Sequence, residues 1–318
     1  MNKRSLLLAC MMMATGAWAQ NTKPVRIIVA FAAGGPVDTM ARTIAEPLGR
    51  ALGRTVLVEN KPGASGAIGA AEVLRADPDG STLWLTSVGS AAINPALYPK
   101  LSYNMTKDFA PISLVANNIE LFVASAKNPA NDAAELMAIA KQRKDPMPIA
   151  SSGKGSIPHL ALVQLEQSTG IDLLHVPFNG MAPALTNLLG GQVEGVFADV
   201  PAVIGQVRSG RLKALGIASK TRHPLLPDVK TFEEQGFKAV DTNNWYALFV
   251  SSKTPPDVVR ALNRAVHAAV SDPAANAKIS QSGAEPKASS PEELAALLKA
   301  DTDKWSQIVR ARNITADD

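Results

Sequence analysis

The sequence predicts an α/β protein whose ligand crevice lies at the carboxyl ends of its strands, and two observations carry that expectation. Strand-like and helix-like segments alternate along most of the chain, the order produced when crossover helices join parallel strands. At four points a short apolar strand empties through glycines or small polar residues into a helix start. Such a start gathers unpaired backbone N–H groups and the positive end of the helix dipole, which suits a carboxylate or a phosphate. Four of them together describe one crevice for a small anion. The chain has 318 residues, 46% of them hydrophobic, enough for a full core and for two domains. No low-complexity linker separates such domains, so strands that cross between them must join them.

The elements follow in order. Lys3 and Arg4 precede an apolar run at residues 6–14, and Ala17-Trp18-Ala19 supplies a small-x-small cleavage pattern. Residues 1–19 therefore read as a signal peptide of an exported protein, with Gln20 as the first mature residue. The run is shorter than the roughly 20 residues that span a bilayer. Leu7-Leu8-Ala9-Cys10 partly matches a lipoprotein cleavage box, but only residues 5–9 stand ahead of it, short of the ~7–15 of a signal core. With Cys10 removed the mature chain has no cysteine, hence no disulfide and no thiol chemistry.

VRIIVAF at residues 25–31 reads as a strand buried on both faces. Gly34 and Gly35 turn the chain, Pro36 suits a first helical turn, and Met40, Ile44, Leu48 and Leu52 make one buried stripe. TVLVEN (55–60) and STLWLTS (81–87) are strands, with the Gly-rich PGASGAIGAAEVLRA opening a helix between them. PISLVANNIELFVAS (111–125) reads as two further strands. The second junction runs from PIA through Ser151, Ser152, Gly153, Lys154, Gly155 and Ser156 to a helix near Pro158, the third turns at Asn179 and Gly180, and the fourth turns at Asp199. LKALGIAS and NWYALFVSS are strands, and the tail beyond Pro255 is mainly helical.

Several function classes are excluded on composition and motif. The net charge of +4 is spread out, and aromatics are only 5%, so no nucleic-acid surface is expected. His175, His223 and His267 show no metal-ligand spacing, and neither a metal nor a cofactor is expected. Ser151-Ser152-Gly153-Lys154 matches S-x-x-K, yet its companions S-D-N and K-T-G are absent, and Gly153 and Gly155 disfavour the helix that motif needs. There is no G-x-S-x-G elbow and no phosphate loop. The chain reads as a binding protein and not an enzyme. An extracytoplasmic sensor serving a two-component kinase and a secreted hydrolase are the alternatives.

The stretches VAFAAGGPVDTMAR, VENKPGASGAIGA, DPDGSTL, NPALYPKLSYNMTKDFAPISL, SSGKGSIPHLA, HVPFNGMAPALTNLLGGQV, LPDVKTFEEQGF and W-x-x-LF-x-x-x-x-TPPDVV occur in this order across residues 23–309. Together they resemble the tripartite tricarboxylate transporter receptors, the Bug-type periplasmic solute-binding proteins. The resemblance implies a two-lobed α/β periplasmic binding protein of the type II, Venus-flytrap kind, each lobe a mixed sheet flanked by helices. Residues 22–122 with 250–318 would form one lobe and 123–249 the other. It implies a small carboxylate as ligand, delivery to membrane permease subunits, and a monomer.

The resemblance also places a site. Phe31, Gly34, Gly35, Asp38, Ser87, Gly89 and Ser90 would line the first lobe. Ser151, Ser152, Gly153, Lys154, Ser156, His159, Asn179, Gly180, Ala182 and Asp199 would line the second. Lys154 either supplies a cation for a second carboxylate or is a solvated lysine on the loop rim. His159 either donates to the ligand or packs against its loop. Asp38 and Asp199 read as a helix-start acid and a loop-orienting acceptor, because a bare carboxylate repels an anionic ligand. Trp84 and Trp305 read as core, and Trp245 beside Tyr246 is the tryptophan best placed for the cleft, although packing is the first reading for it as well. Dicarboxylates, citrate-like tricarboxylates, acidic amino acids and aromatic carboxylates all remain candidates, with Lys154 favouring a ligand with two carboxylates.

Overall fold

A computed structural model describes residues 23–178 and 180–315, apart from the side chain of Ser65; the expected signal peptide at 1–19 and Asn179 lie outside the described residues. β1 (Val25–Val29) leads through the glycine pair into α1 (Pro36–Leu52), where Met40, Ile44 and Leu48 are fully buried. Burying each of these side chains contributes roughly 1.5–3 kcal/mol. Gly53, left-handed at φ 63°, ends the helix. β2 (Val56–Asn60), α2 (Ala67–Arg75) and β3 (Thr82–Ser87) follow. A π-helical turn (Gly89–Ile93) and two single-turn helices (Asn94–Leu97 and Met105–Asp108) then lead to β4 (Phe109–Ser125).

The middle of the chain is α3 (Ala133–Gln142), β5 (Met147–Ser151), α4 (Ile157–Thr169), β6 (Leu173–Pro177), α5 (Met181–Leu189), β7 (Gly195–Asp199), α6 (Val200–Arg208) and β8 (Leu212–Ile217). After a long irregular connection come β9 (Asn243–Ser251), α7 (Pro256–Ser271), α8 (Pro273–Ser282), β10 (Glu285–Pro286) and α9 (Pro291–Ala311). Ser290 and Glu293 close α9 with a reciprocal capping box.

The segment read as two strands at 111–125 is one strand of 17 residues. No glycine or turn pair interrupts it, and its irregularity is absorbed by register shifts between Pro111 and Ser113 and between Leu114 and Ala116. Up to Ile119 it pairs antiparallel with β9. From Glu120 onward it pairs antiparallel with β7 on one side and β8 on the other. One strand thus serves two sheets, the first ordered β2-β1-β3-β9-β4 with β10 beside β4, the second continuing through β7, β5 and β6. The alternation of elements holds for the parallel strands β2, β1 and β3 and for β6, β5 and β7. β4 and β9 run against their neighbours because they are the strands that cross.

Each sheet buries both faces. Ile27, Val29 and Leu85 pack with α1 and α7, while Ile28, Trp84 and Phe249 on the opposite face pack with α9 and the π-helical turn. In the second sheet Phe122 and Phe197 stack 4.5 Å apart over α3 and α4, and Leu121, Val123 and Val196 face α5 and α6. Gly195 is what lets Phe122 lie against β7: a Cβ there would stand 2.8 Å from Phe122 Cζ. Gly195→Ala is expected to destabilise the fold by about 1–3 kcal/mol through overpacking, lowering the thermal midpoint by several degrees in a calorimetric scan.

Candidate functional site

The four strand-to-helix junctions meet. With the loop after β3 they surround a cleft of about 1040 Å³ at the carboxyl ends of β1, β3, β5, β6 and β7. Of the sequence-predicted residues, Phe31, Gly35, Ser87, Gly89 and Ser90 line it from the first sheet, and Ser152, Gly153, Lys154, Ser156, Gly180 and Asp199 from the second. Gly34, Asp38, Ser151, His159 and Ala182 stand behind this lining or beside it. Among the described residues no group of His, Cys, Asp or Glu has the arrangement of a metal site.

Asp38 builds the first loop from beneath. It is buried, and its carboxylate accepts from the Gly34 N–H at 2.8 Å, Arg42 Nε at 3.0 Å and Asn60 Nδ2 at 2.9 Å. Burial pushes its pKa up, but these donors outweigh burial and hold it below the usual carboxylate range. Gly34, at φ 81°, takes a turn that side chains rarely adopt. The N–H groups of the first turn of α1 are thereby left at the cleft wall beside Gly35, Pro36 and Val37.

The second loop is braced by two histidines. His159 Nδ1 accepts from the Gly155 N–H at 2.9 Å, and its ring stacks on His175 with centroids 3.8 Å apart. His175 Nε2 lies 2.7 Å from Ser151 Oγ, itself tied to Gly153. These contacts tie His159 to its own loop. Burial, with the neighbouring ring and Lys154 adding to it, lowers His159 to about 3, and burial with Lys154 lowers His175 to about 4. Ser156 caps α4, and exposed Lys154 sits on the rim.

The floor of the cleft is the crossing of β4 with β7 and β9, and sequence reasoning missed most of it. Glu120 stands opposite Asp199 across the first rung of the second sheet. Asp199 accepts from Asn244 Nδ2 at 2.9 and 3.0 Å and from the Tyr246 hydroxyl at 3.0 Å. Burial, then the Asp199 charge, pushes the Glu120 carboxyl well above its usual range; burial raises Asp199 too, against the pull of its bonds to Glu120, Asn244 and Tyr246. Trp245, the tryptophan read as best placed for the cleft, is fully buried in the first core and bonded to Asp301 at 2.6 Å. Strand alternation sends its neighbour Tyr246 to the cleft instead. Only the register of β4 against β7 brings Glu120 to Asp199, and no local pattern announces it.

The two sides also touch at the mouth. Gly155, at φ 69°, packs so closely on Leu97 that a Cβ would overlap that side chain, and Ile157 and Leu160 of α4 join the first sheet's core cluster.

The histidine pair gives the stability a defined pH dependence. Unfolded, each imidazole takes its proton near pH 6.5; folded, they do so only near 4 and 3. Between these limits the unfolded chain binds more protons, so stability falls as pH is lowered through the window, by at most about 1.4 kcal/mol per pH unit for each ring. His175→Phe keeps the stack but cannot titrate. It is expected to be less stable at pH 8 by about 1 kcal/mol, from the lost Ser151 bond, and to show a shallower loss between pH 6.5 and 4, read as thermal midpoint against pH.

Comparison with known proteins agrees with this architecture. Residues 40–314 match the family described as the tripartite tricarboxylate transporter family receptor. The structure of the periplasmic binding protein BugD is 35% identical with a TM-score of 0.81, covering 92% of this chain and 98% of that one. MatC from Rhodopseudomonas palustris, with bound malate, is 33% identical with a TM-score of 0.79, covering 90% and 98%. A second R. palustris protein, with adipate, is 29% identical with a TM-score of 0.85, covering 93% and 99%. The two sheets are thus the two lobes of a periplasmic-binding-protein fold, and the chain belongs to the tripartite tricarboxylate transporter receptor family.

Proposed function

We propose that this chain is a periplasmic receptor that captures a small carboxylate between its lobes and delivers it to the permease subunits of a tripartite tricarboxylate transporter, working as a monomer after loss of residues 1–19. The observation that carries the reading is the convergence of the starts of α1, α4 and α5 on one cleft, each opened by glycine or a small hydroxyl residue. Helix starts of this kind hold a carboxylate through backbone N–H groups without any paired cation. Malate and adipate in two related structures support a ligand of that class. The lobes divide near 22–122 with 250–318 and 123–249, and the pairing of β9 with β3 favours moving the second boundary to just before Asn243. A hydrolase has no support in Ser151, which is fully buried and held by its own loop.

Contacts made with both lobes at once would give the ligand its preference for a closed state. Among the described residues no helix is long and apolar enough to cross a membrane.

A thermal-shift series with mono-, di- and tricarboxylates tests the reading. A ligand at 100 times its Kd adds about 2.7 kcal/mol of stability and raises the midpoint by several degrees. Absence of a shift with every acid, in protein shown by native mass spectrometry to be empty, would overturn it. Gly155→Ala tests the contact between lobes: wedged against Leu97, it is expected to weaken the carboxylate found in that series at least about tenfold by titration calorimetry, about 1.4 kcal/mol.

A further inference from the structure

The wall and the floor of the cleft ask for different chemistry. Along the wall, helix starts offer N–H donors. On the floor the side chains offer acceptors. Glu120 is 1% exposed, and its Oε2 accepts from no described residue; the same holds for the buried Oδ1 of Asn244. Both residues line the cleft. Asn244 is fixed with its amide nitrogen toward Asp199, because only that end can donate, and this leaves its oxygen free to accept. Asp199 is engaged by Asn244, Tyr246 and the Glu120 carboxyl. A buried acceptor without a donor leaves the cost of its desolvation unmet, and a carboxylate oxygen cannot supply a donor.

We propose that the ligand is a carboxylate that also carries a hydrogen-bond donor, a hydroxyl or an ammonium, and that this donor seats on Glu120 and Asn244 beside Asp199. The carboxylate then lies toward the helix starts and the donor toward the crossing of the sheets, so the cleft reads both ends of one small molecule. This deepens the receptor reading and rests on it. Within that reading it sets hydroxy- and amino-substituted acids above their bare skeletons. Polar groups built to pair with a donor reject an analogue that lacks it far more strongly than an apolar pocket rejects a missing methylene.

Titration calorimetry on matched skeletons decides it, using succinate, malate and aspartate at four carbons and adipate with 2-aminoadipate at six. The expected result is that within a skeleton the donor-bearing acid binds at least about tenfold more tightly than the bare diacid; whether malate or aspartate leads assigns the donor as hydroxyl or ammonium. In Glu120→Leu the acceptor is gone, and the preference should shrink to about twofold or less. Glu120→Gln still presents an oxygen to the cleft and an N–H to Asp199, so it should keep the order of preference at reduced affinity. Equal binding of bare and substituted diacids by the unmodified chain would overturn the proposal while leaving the receptor reading intact, and that comparison stands even where a variant does not fold. A preference that survives in folded Glu120→Leu overturns the proposal as well. Failure of every acid to bind removes the receptor reading beneath it.

Discussion

A single strand carries hydrogen-bond ladders of both sheets, and the placement of the cleft follows from where along it the partners change. β4 pairs with β9 through Ile119 and with β7 from Glu120, so the two sheets are continuous in backbone hydrogen bonding but divided in their cores. Residues before the change point into the clusters around α1 and α9; residues after it point into those around α3 to α6. At the change itself there is no apolar layer to enter. Asn117, Asn118, Glu120, Thr242 and Asn244 gather there instead, and each holds a buried polar atom with no partner among the described residues. Native interiors contain few such atoms, and of these five residues Glu120 and Asn244 line the cleft.

The cleft walls depend on a different economy. Asp38 shows the principle: a buried carboxylate tied to Gly34, Arg42 and Asn60 fixes a loop so that backbone N–H groups are presented to the cleft. The His159–His175 stack does the same for the second loop while both rings stay neutral. Neutral bracing matters there. A charged imidazole would add a cation whose strength varied with pH, whereas backbone donors and helix dipoles keep a constant sign. Side chains behind the walls thus hold the loops, and along the walls the backbone faces the cleft.

This division of labour explains what the sequence made legible. Glycines, small hydroxyl residues and prolines at helix starts are local signals, and all four junctions they mark meet at the cleft, at Gly35, Ser152 to Ser156, Gly180 and Asp199. The stripe Met40, Ile44, Leu48 is equally local and lies buried as its spacing requires. β4 misled because a pattern of length 15 without turn residues looks too long for one strand, and nothing local says that a strand may serve two sheets. Strand parity alone decides which of the adjacent aromatics Trp245 and Tyr246 faces the cleft. Glu120 was illegible in a stronger sense. Its partner Asp199 is set by register between distant strands, and a slip of one residue would have sent its side chain to the other face.

The same crossing that hid Glu120 also connects recognition to movement. The lobes meet through the strands at the floor, through Gly155 against Leu97 at the mouth, through Ile157 and Leu160 in the first core cluster, and through polar contacts such as His223 Nε2 with the Gly283 carbonyl and Arg312 with Glu166. The floor cannot open without breaking backbone ladders, whereas Gly155 and Leu97 meet by van der Waals packing, which can separate at the cost of a few exposed apolar groups. Rotation about the crossing strands would therefore part the mouth while moving the floor least. A ligand group seated on Glu120, Asp199 and Asn244 would lie near the axis of that rotation and be held in both states. A carboxylate reaching the starts of α4 or α5 from the wall of α1 would lie far from the axis and bond to both lobes only when the mouth is shut. Differential affinity, which is what drives closure, then belongs to the carboxylate end, and identification of the molecule belongs to the end at the floor.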